Sequence, residues 1–441
     1  MFETLKNAFK NKEVRTKILI TLALLFIYRL GCWIPIPGID PAIYSTSLAN
    51  NPDSLLGLIS GITGNALSNG ALFAIGITPY INASIILQLL TVAIPRLQEY
   101  SKQGDEGKKK ITQITRYITI ALAAIQSIGI VISFATSGSI TTSVFGVDMP
   151  EWLVGMFVCV IMITGSMFTM WLGERITDYG VGNGISLLIF VGIISSAGMA
   201  IISKFEEAFG GNEMAIWELV GFVLLVIAVF LLIVFVDLAE RRVPVQYAKQ
   251  IKGRKQYGGQ STYIPIKVNA SGVLPIIFAT AIITFPQMIA QLIAPASEGA
   301  ANFYNWWNTW LGAGSRYPFY YILVALLILF FSYFYAQIQF NPEDISRNIQ
   351  QYGGMINGIR PGKQTTDYLS TISKRLTLFG AIYLAFIALV PSVIFAAVLK
   401  DATLVNAFSA TGMLIVVSVA LEFDKQLQSL LMMKQYKGFL K

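Results

Sequence analysis

Two short stretches carry residue types that could hold a phosphate. GIRPGKQ at 358–364 sets a Gly-Lys pair behind a proline, and GVGNG at 180–184 crowds three glycines into five positions. A phosphate-cradling loop needs glycines spaced so that backbone N–H groups converge, followed by lysine and a hydroxyl. Here Asn357 stands five positions before Gly362, where that motif requires glycine, and Gln364 replaces the serine or threonine. GVGNG is too short and wrongly spaced for a dinucleotide loop, so both stretches read as turns. Nucleophilic and metal chemistry lack their residues as well. The chain has no histidine and two cysteines, Cys32 and Cys159, which leaves neither a histidine base, nor a disulfide framework, nor a cluster of soft metal ligands.

The elements that carry these turns are apolar to an unusual degree. Of 441 residues, 55% are hydrophobic and only 13% charged, with a mean hydropathy of +0.63. That composition belongs to a bilayer. The net charge of +8 raises the question of nucleic acid, but the cations form no interleaved aromatic and basic surface. A helix crossing the hydrocarbon core needs about 20 apolar residues. Ten runs free of Asp, Glu and Lys approach that length, near 18–36, 71–93, 117–136, 152–172, 184–203, 219–236, 270–294, 319–339, 376–399 and 404–421. Only Arg29 falls inside one, near its end, where a long side chain can snorkel toward headgroups. The basic start, MFETLKNAFKNKEVRTK, followed by an apolar run and LGC at 30–32 has the look of a secretory or lipoprotein signal, but Arg29 occupies a position where such a cleavage site wants an aliphatic residue. The first span is expected to stay uncleaved.

Cations set orientation, because positively charged loops stay on the cytoplasmic side. The N-terminus holds five Lys and Arg, the loop after span two six, the loop after span four one, the loop after span six seven, the loop after span eight five and the C-terminus four. Those make 28 of 32; besides Arg29, the other face has only Lys204, Arg316 and Lys400. Both termini are therefore expected in the cytoplasm. Residues 1–203 hold five spans, 204–218 form a polar extracytoplasmic hinge, and 219–441 hold five more, so the halves enter the membrane from opposite sides. Inverted repeats are compatible with this, although no sequence echo links the halves.

Chemistry at membrane depth finds little to work with. The spans contain no Lys, Asp or Glu, which argues against a serine–lysine or paired-carboxylate protease. A secondary transporter of a small solute is the serious rival reading, because inverted halves and glycine-rich breaks occur in that class, yet carriers usually bury ionisable groups at mid-membrane. A path for large, varied cargo needs the opposite: surfaces that grip nothing. In TPYINASIILQLLT, Ser84, Gln88 and Thr91 recur at i, i+4 and i+7 as one polar stripe, with Ile81 and Ile85 beside it. Ile185 and Ile189 repeat the four-residue step. Such pairs are most often plain packing, and intramembrane Ser or Gln most often bonds a neighbouring helix. The stretch 54–70, SLLGLISGITGNALSNG, is apolar, uncharged and broken by glycines before spanning length. It reads as a re-entrant segment, which only protein or a water-filled cavity can shelter.

Several stretches in order resemble the SecY family of protein-conducting channels: WIPIPG at 33–38, GITPYINASIILQLLT at 76–91, EYSKQGDEGKKKITQITRY at 99–117, GNGISLLIF at 182–190, KVNASGVLPIIFA at 267–279, FNPEDISRN at 340–348 and GIRPGKQT at 358–365. The resemblance implies an all-α membrane fold, ten transmembrane helices in two inverted halves forming a clam-shell channel. It implies an apolar pore ring of Ile81, Ile85, Ile185, Ile189, Ile277 and Ile415, closed beneath by a plug at 55–69 that includes Leu55, Leu58, Ile59, Ile62, Gly64, Asn65 and Leu67. Asn65 departs from the family pattern, which commonly has a second glycine before the alanine, and this puts typical plug behaviour in question. A lateral gate would use Ser84, Gln88 and Thr91 with Gln126 and Asn269; for the last two, a local cap or interhelical bond is an equal reading. The loops 241–268 and 340–375 are too long and basic for simple connections, and in the family such loops meet the ribosome or the SecA motor ATPase. Arg360 leads that docking set, with Arg254, Lys255, Pro361, Gly362 and Lys363. A basic tip suits ribosomal RNA phosphates or an acidic protein surface. Small SecE-type and SecG-type subunits, signal peptides, nascent polypeptides and membrane lipids are the other implied partners, with no cofactor and a cytoplasmic (inner) membrane location.

Overall fold

The structure is a computed structural model that describes all residues except 1, 51–59, 62, 145, 211–212, 248–249, 253–254, 258–260, 294–297, 313–318, 399–409 and 440–441. Helices dominate: α1 (Phe2–Lys10), α2 (Lys12–Gly31), α3 (Pro41–Asn50), α4 (Thr78–Ala93), α5 (Pro95–Lys102), α6 (Asp105–Thr136), α7 (Glu151–Tyr179), α8 (Gly184–Phe209), α9 (Glu213–Leu238), α10 (Leu274–Ile293), α11 (Glu298–Leu311), α12 (Phe319–Gln339), α13 (Pro342–Gln351), α14 (Lys363–Val398) and α15 (Ala410–Phe439). A short hairpin, β1 (Ser143–Val144) with β2 (Val147–Asp148), precedes α7. Five strands lie in the two long polar loops: β3 (Glu240–Tyr247), β4 (Gln250–Lys252), β5 (Lys255–Tyr257), β6 (Ser261–Lys267) and β7 (Gly354–Ile356).

Among the described residues six helical segments are long and apolar enough to cross a membrane, within α6, α7, α8, α9, the stretch from α12 into α13, and α14. The pair α4 and α5, bent by 108° at Ile94, would be a seventh. Pro95 explains the bend, since the residue before a proline is driven out of helical geometry, and Ile94 is extended (φ −106°, ψ 112°). The expected span at 71–93 needs correction: helix starts only at Thr78, and 71–77 is a chain of turns. Those turns lie against α7 because Gly165 has no side chain. A Cβ there would collide with the Leu72 carbonyl. Next to it, the Ser166 hydroxyl donates to the Gly76 carbonyl at 3.0 Å, satisfying one group of the irregular backbone.

The chain divides into two compact units. The first comprises 1–222, 283–320 and 395–441, where α6 packs on α4 and α7, α7 on α2 and α8, and α15 on α1 and α8. The second comprises 223–282 and 321–394. In it β3 is the centre of an antiparallel sheet ordered β6-β3-β7, with Val243 opposite Ile264 on one side and Val245 opposite Ile356 on the other. An all-α description omits this sheet. Its strands alternate: Val243 and Val245 turn inward with Ile266, Ile349, Ile356 and Leu369 to make a small core of their own. Pro244 is tolerated because β7 pairs only from Val245 onward, leaving no strand opposite it on that side.

Candidate functional site

Four of the six isoleucines expected at a pore come together in the first unit. Ile81 from α4, Ile185 and Ile189 from α8 and Ile415 from α15 belong to one apolar cluster with Ala66, Ala71, Phe73 and Ile77. Ile189 is 7% exposed, whereas Ile81, Ile185 and Ile415 keep part of their surface free. The cluster offers dispersion contact and excludes water. Ile85 is buried on α4 outside this cluster, and Ile277 lies on α10 within the second unit.

The turn that leads into α8 sets the angle of two of these isoleucines. In GVGNG, the Thr21 hydroxyl accepts from Val181 N–H at 3.0 Å, Thr177 accepts from Gly184 N–H at 2.9 Å, and Asn183 caps the helix by accepting from Ile185 N–H at 3.1 Å. The stretch is a helix connection, as its spacing implied.

Of the expected plug, Leu55, Leu58, Ile59 and Ile62 lie outside the described residues. Ser60, Gly61 and 63–70 are held from two sides. The Ser196 hydroxyl on α8 donates to the Gly61 carbonyl at 2.7 Å, and Arg29 Nη1 on α2 reaches the Gly64 carbonyl at 3.5 Å. Arg29 is therefore half-buried against this segment, where snorkelling was expected; a lone cation within a span was the available signal that it had a protein partner. Asn65 has φ +65° and its N–H donates to the Ser60 carbonyl at 2.8 Å. That left-handed backbone is the conformation glycine adopts freely and asparagine tolerates best among the rest, which accounts for the departure at this position. Leu67 is fully buried, in a neighbouring core with Ile36, Ile75, Phe134 and Met162.

The polar stripe is distributed. On α4, Ser84 and Thr91 are half-buried and Gln88 is exposed, the Thr91 hydroxyl donating back to the Gln88 carbonyl at 2.6 Å. Gln126 is buried on α6, which packs on α4. Asn269 in the second unit donates to Asp237 Oδ1 at 2.9 Å and so ties the end of α9 to the turn before α10. The sequence reading had placed no carboxylate within a span; Asp237 ends a helix that runs two residues past the expected limit.

The second candidate surface is the sheet and its tip. Arg360, Pro361 and Lys363 are exposed. The backbone beneath them is fixed: the buried Thr365 hydroxyl donates to the Arg360 carbonyl at 2.9 Å and the buried Ser346 hydroxyl to the Gly362 carbonyl at 2.9 Å. Gly362 has φ +97°, a value that a side chain would oppose. Behind the tip, Arg242 donates to Glu240 Oε1 at 2.8 Å and lies 4.9 Å from the Tyr263 ring centre; the bond to Glu240, first, and the nearby phenol oxygen push its already high pKa up further. Lys255 opens β5, opposite Lys252, and Arg254 lies outside the described residues. The sheet itself was missed from sequence. Its signal was present, as VPV at 243–245 and IPI at 264–266 alternate with period two.

A multi-pass helical membrane protein, with an apolar cluster drawn from three helices and a sheet in its polar loops, is the class that fold and site define. Two solved structures share the fold: "The structure of a protein conducting channel", at TM-score 0.63 and 21% identity over 94% of this chain and 92% of that one, and "Sec61 in the Canine ribosome-channel complex from the endoplasmic reticulum", at 0.60 and 19% over 94% and 92%. The family model described as SecY matches residues 71–423. "Protein translocase subunit SecY" of Streptomyces coelicolor is 43% identical over the full length of both chains, and that of Escherichia coli K12 is 41% identical over 97% of this chain and 94% of its own. The chain belongs to the SecY family.

Proposed function

We propose that this chain is the pore-forming subunit of a protein-conducting channel, moving secretory polypeptides across the cytoplasmic membrane and releasing membrane-protein helices sideways into lipid. The observation that carries the reading is the convergence of Ile81, Ile185, Ile189 and Ile415, from three helices distant in sequence, against the segment that follows residue 60. Branched side chains around a gap close on any sequence and hold back ions by excluding water. Ile85 and Ile277 complete the ring in this proposal, and 55–69 form the plug. Ser84, Gln88, Thr91, Gln126 and Asn269 weaken an otherwise apolar lateral seam. Ten spans in two inverted halves, 1–203 and 219–441, are proposed from the apolar runs, and the distribution of Lys and Arg supports cytoplasmic termini.

The chain is a channel subunit and not an enzyme, so energy comes from partners. The tip at Arg360 and the sheet behind it are proposed to dock a SecA-type motor and the ribosome, with SecE-type and SecG-type subunits in the bilayer. One solved neighbour is Sec61 in a ribosome–channel complex, which supports the ribosomal half of this proposal. Relatives named as translocase subunits leave the carrier reading without support.

Reconstitution tests the whole. With its small partner in vesicles, the chain is expected to make a radiolabelled secretory precursor protease-resistant when motor and ATP are both added, and not when either is left out. Solute accumulation without precursor protection would overturn the channel and restore the carrier.

A further inference from the structure

We propose that α11, Glu298–Leu311, is an interfacial helix that lies in the headgroup layer of the membrane and anchors the loop between α10 and α12 to lipid. The helix has three distinct faces. Phe303, Trp306, Trp307 and Trp310 recur at i, i+3, i+4 and i+7, a single stripe in which the Phe303 ring centre lies 6.1 Å from Trp306 and 5.5 Å from Trp307. Phe303 is 42%, Trp306 50% and Trp310 37% exposed. Asn302, Asn305 and Thr309, at i, i+3 and i+7 on a second face, are exposed as well. The third face turns to the protein, where Asn308 Oδ1 accepts from Gln287 Nε2 of α10 at 2.7 Å.

A helix surrounded by water on two sides would not keep its largest apolar side chains on one of them. A helix with protein on one side, water on the second and lipid on the third requires this arrangement. Tryptophan favours that layer because its ring is apolar and its indole N–H can still reach water or a headgroup. The segment contains no Lys or Arg, so aromatic insertion and not attraction to anionic lipid would hold it. The stripe also meets the start of a candidate membrane span: Trp310 lies 5.8 Å from Phe319, an exposed residue that opens the apolar helix α12. Lipid is therefore the occupant that fits both helices. Contact with lipid stands on these faces alone and does not rest on the function proposed above.

The test is a spin-label scan of the full chain in vesicles, in a background where Cys32 and Cys159 are replaced by alanine. Labels at 303, 306 and 310 are expected to collide severalfold more with oxygen than with a water-soluble nickel reagent, and labels at 302, 305 and 309 to show the reverse. Equal nickel access at all six positions would overturn the proposal in favour of a helix in water. Labels at 303, 306 and 310 that are immobile and shielded from both reagents would overturn it in favour of a protein occupant. Should cysteine at an aromatic position disturb folding, the variant Trp306→Phe with Trp310→Phe keeps the stripe aromatic: lipids brominated near the headgroup are expected to quench less of its tryptophan emission than of the unaltered chain's, and equal fractional quenching would count against the proposal. Neither readout depends on transport, so a failed channel assignment and a failed interfacial helix are separable.

Discussion

The apolar cluster around Ile189 and the sheet behind Arg360 are proposed to solve opposite problems. The first gathers branched hydrocarbon from α4, α8 and α15 into one apolar cluster, with the nearby Arg29 cation turned to the Gly64 carbonyl. The second displays Arg360, Lys363 and Arg242 on a backbone fixed by side-chain hydrogen bonds and a private core of Val243, Val245, Ile266, Ile349, Ile356 and Leu369. A surface that lets every sequence pass must avoid directional bonds, because each would become a resting place. A surface that recruits one class of partner needs them, held rigidly enough that binding costs little ordering entropy. The comparison assigns shape to the first region and charge to the second, and each assignment can be broken by substitutions that alter one property and leave the other.

The largest effect is expected where charge is everything. Arg360 is exposed, so Arg360→Glu should leave the fold and the melting temperature unchanged while motor-driven precursor transport falls to background. Reversing the sign replaces attraction with repulsion at the tip. Normal transport by this variant would remove the docking assignment; a loss of folded protein would show that the residue is structural. Lys363→Glu, on the same exposed edge, should give a smaller defect and sharpen the outline of the contact.

The second effect concerns the cluster. Replacing Ile81, Ile185 and Ile415 together by serine removes apolar surface and supplies hydroxyls that bind water, so the resting channel should conduct ions while precursor still binds the motor. Planar-bilayer conductance measures this directly. An unchanged resting conductance would end the role of these residues as a seal. The same triple change is expected to leave motor docking untouched, which makes the two regions independent in the same preparation.

How much of this was readable beforehand differs between the regions for a physical reason. A spanning helix is a local object, and most of the spans follow from windows of about 20 apolar residues. The limits fail where local rules conflict with packing. Residues 71–77 are apolar yet turn instead of coiling, because Gly165 lets the chain approach α7 and Ser166 satisfies it there. The four isoleucines could be named from their pattern only through family resemblance, since a four-residue step occurs on any packed helix. Arg29 was visible as an oddity, but its partner, the Gly64 carbonyl, is 35 residues away and nothing in the spacing joins them. The sheet was the least legible. Val245 pairs with Ile356 across more than a hundred residues, and β7 is three residues long, too short for alternation to register. Asn65 was visible as a departure from pattern, but its left-handed backbone, φ +65°, was not.

The smallest expected effect tests the rigidity claimed for the tip. Thr365 is 1% exposed and its hydroxyl donates to the carbonyl of Arg360 itself, while Ser346, 2% exposed, does the same for Gly362. Thr365→Val keeps the shape of the side chain and deletes one hydrogen bond, a loss of about 1 kcal/mol or less because the carbonyl it abandons sits beside exposed residues and regains water. Global melting should barely move. What should change is the ordering of residues 358–363, read as faster amide hydrogen exchange there, together with a fall in motor affinity of at most about fivefold if the lost bond is felt fully at the contact. Combining Thr365→Val with Ser346→Ala should do more than either alone, since both bonds hold the same short loop and a loop freed at one end is still fixed at the other. If exchange quickens and affinity does not change, the tip needs its charge and not its rigidity, and the contrast between the two regions reduces to the presence or absence of cations. If affinity falls with exchange in the single variants and further in the double, order at the tip is part of recognition, and the apolar cluster, which needs no such fixing, is its proper opposite.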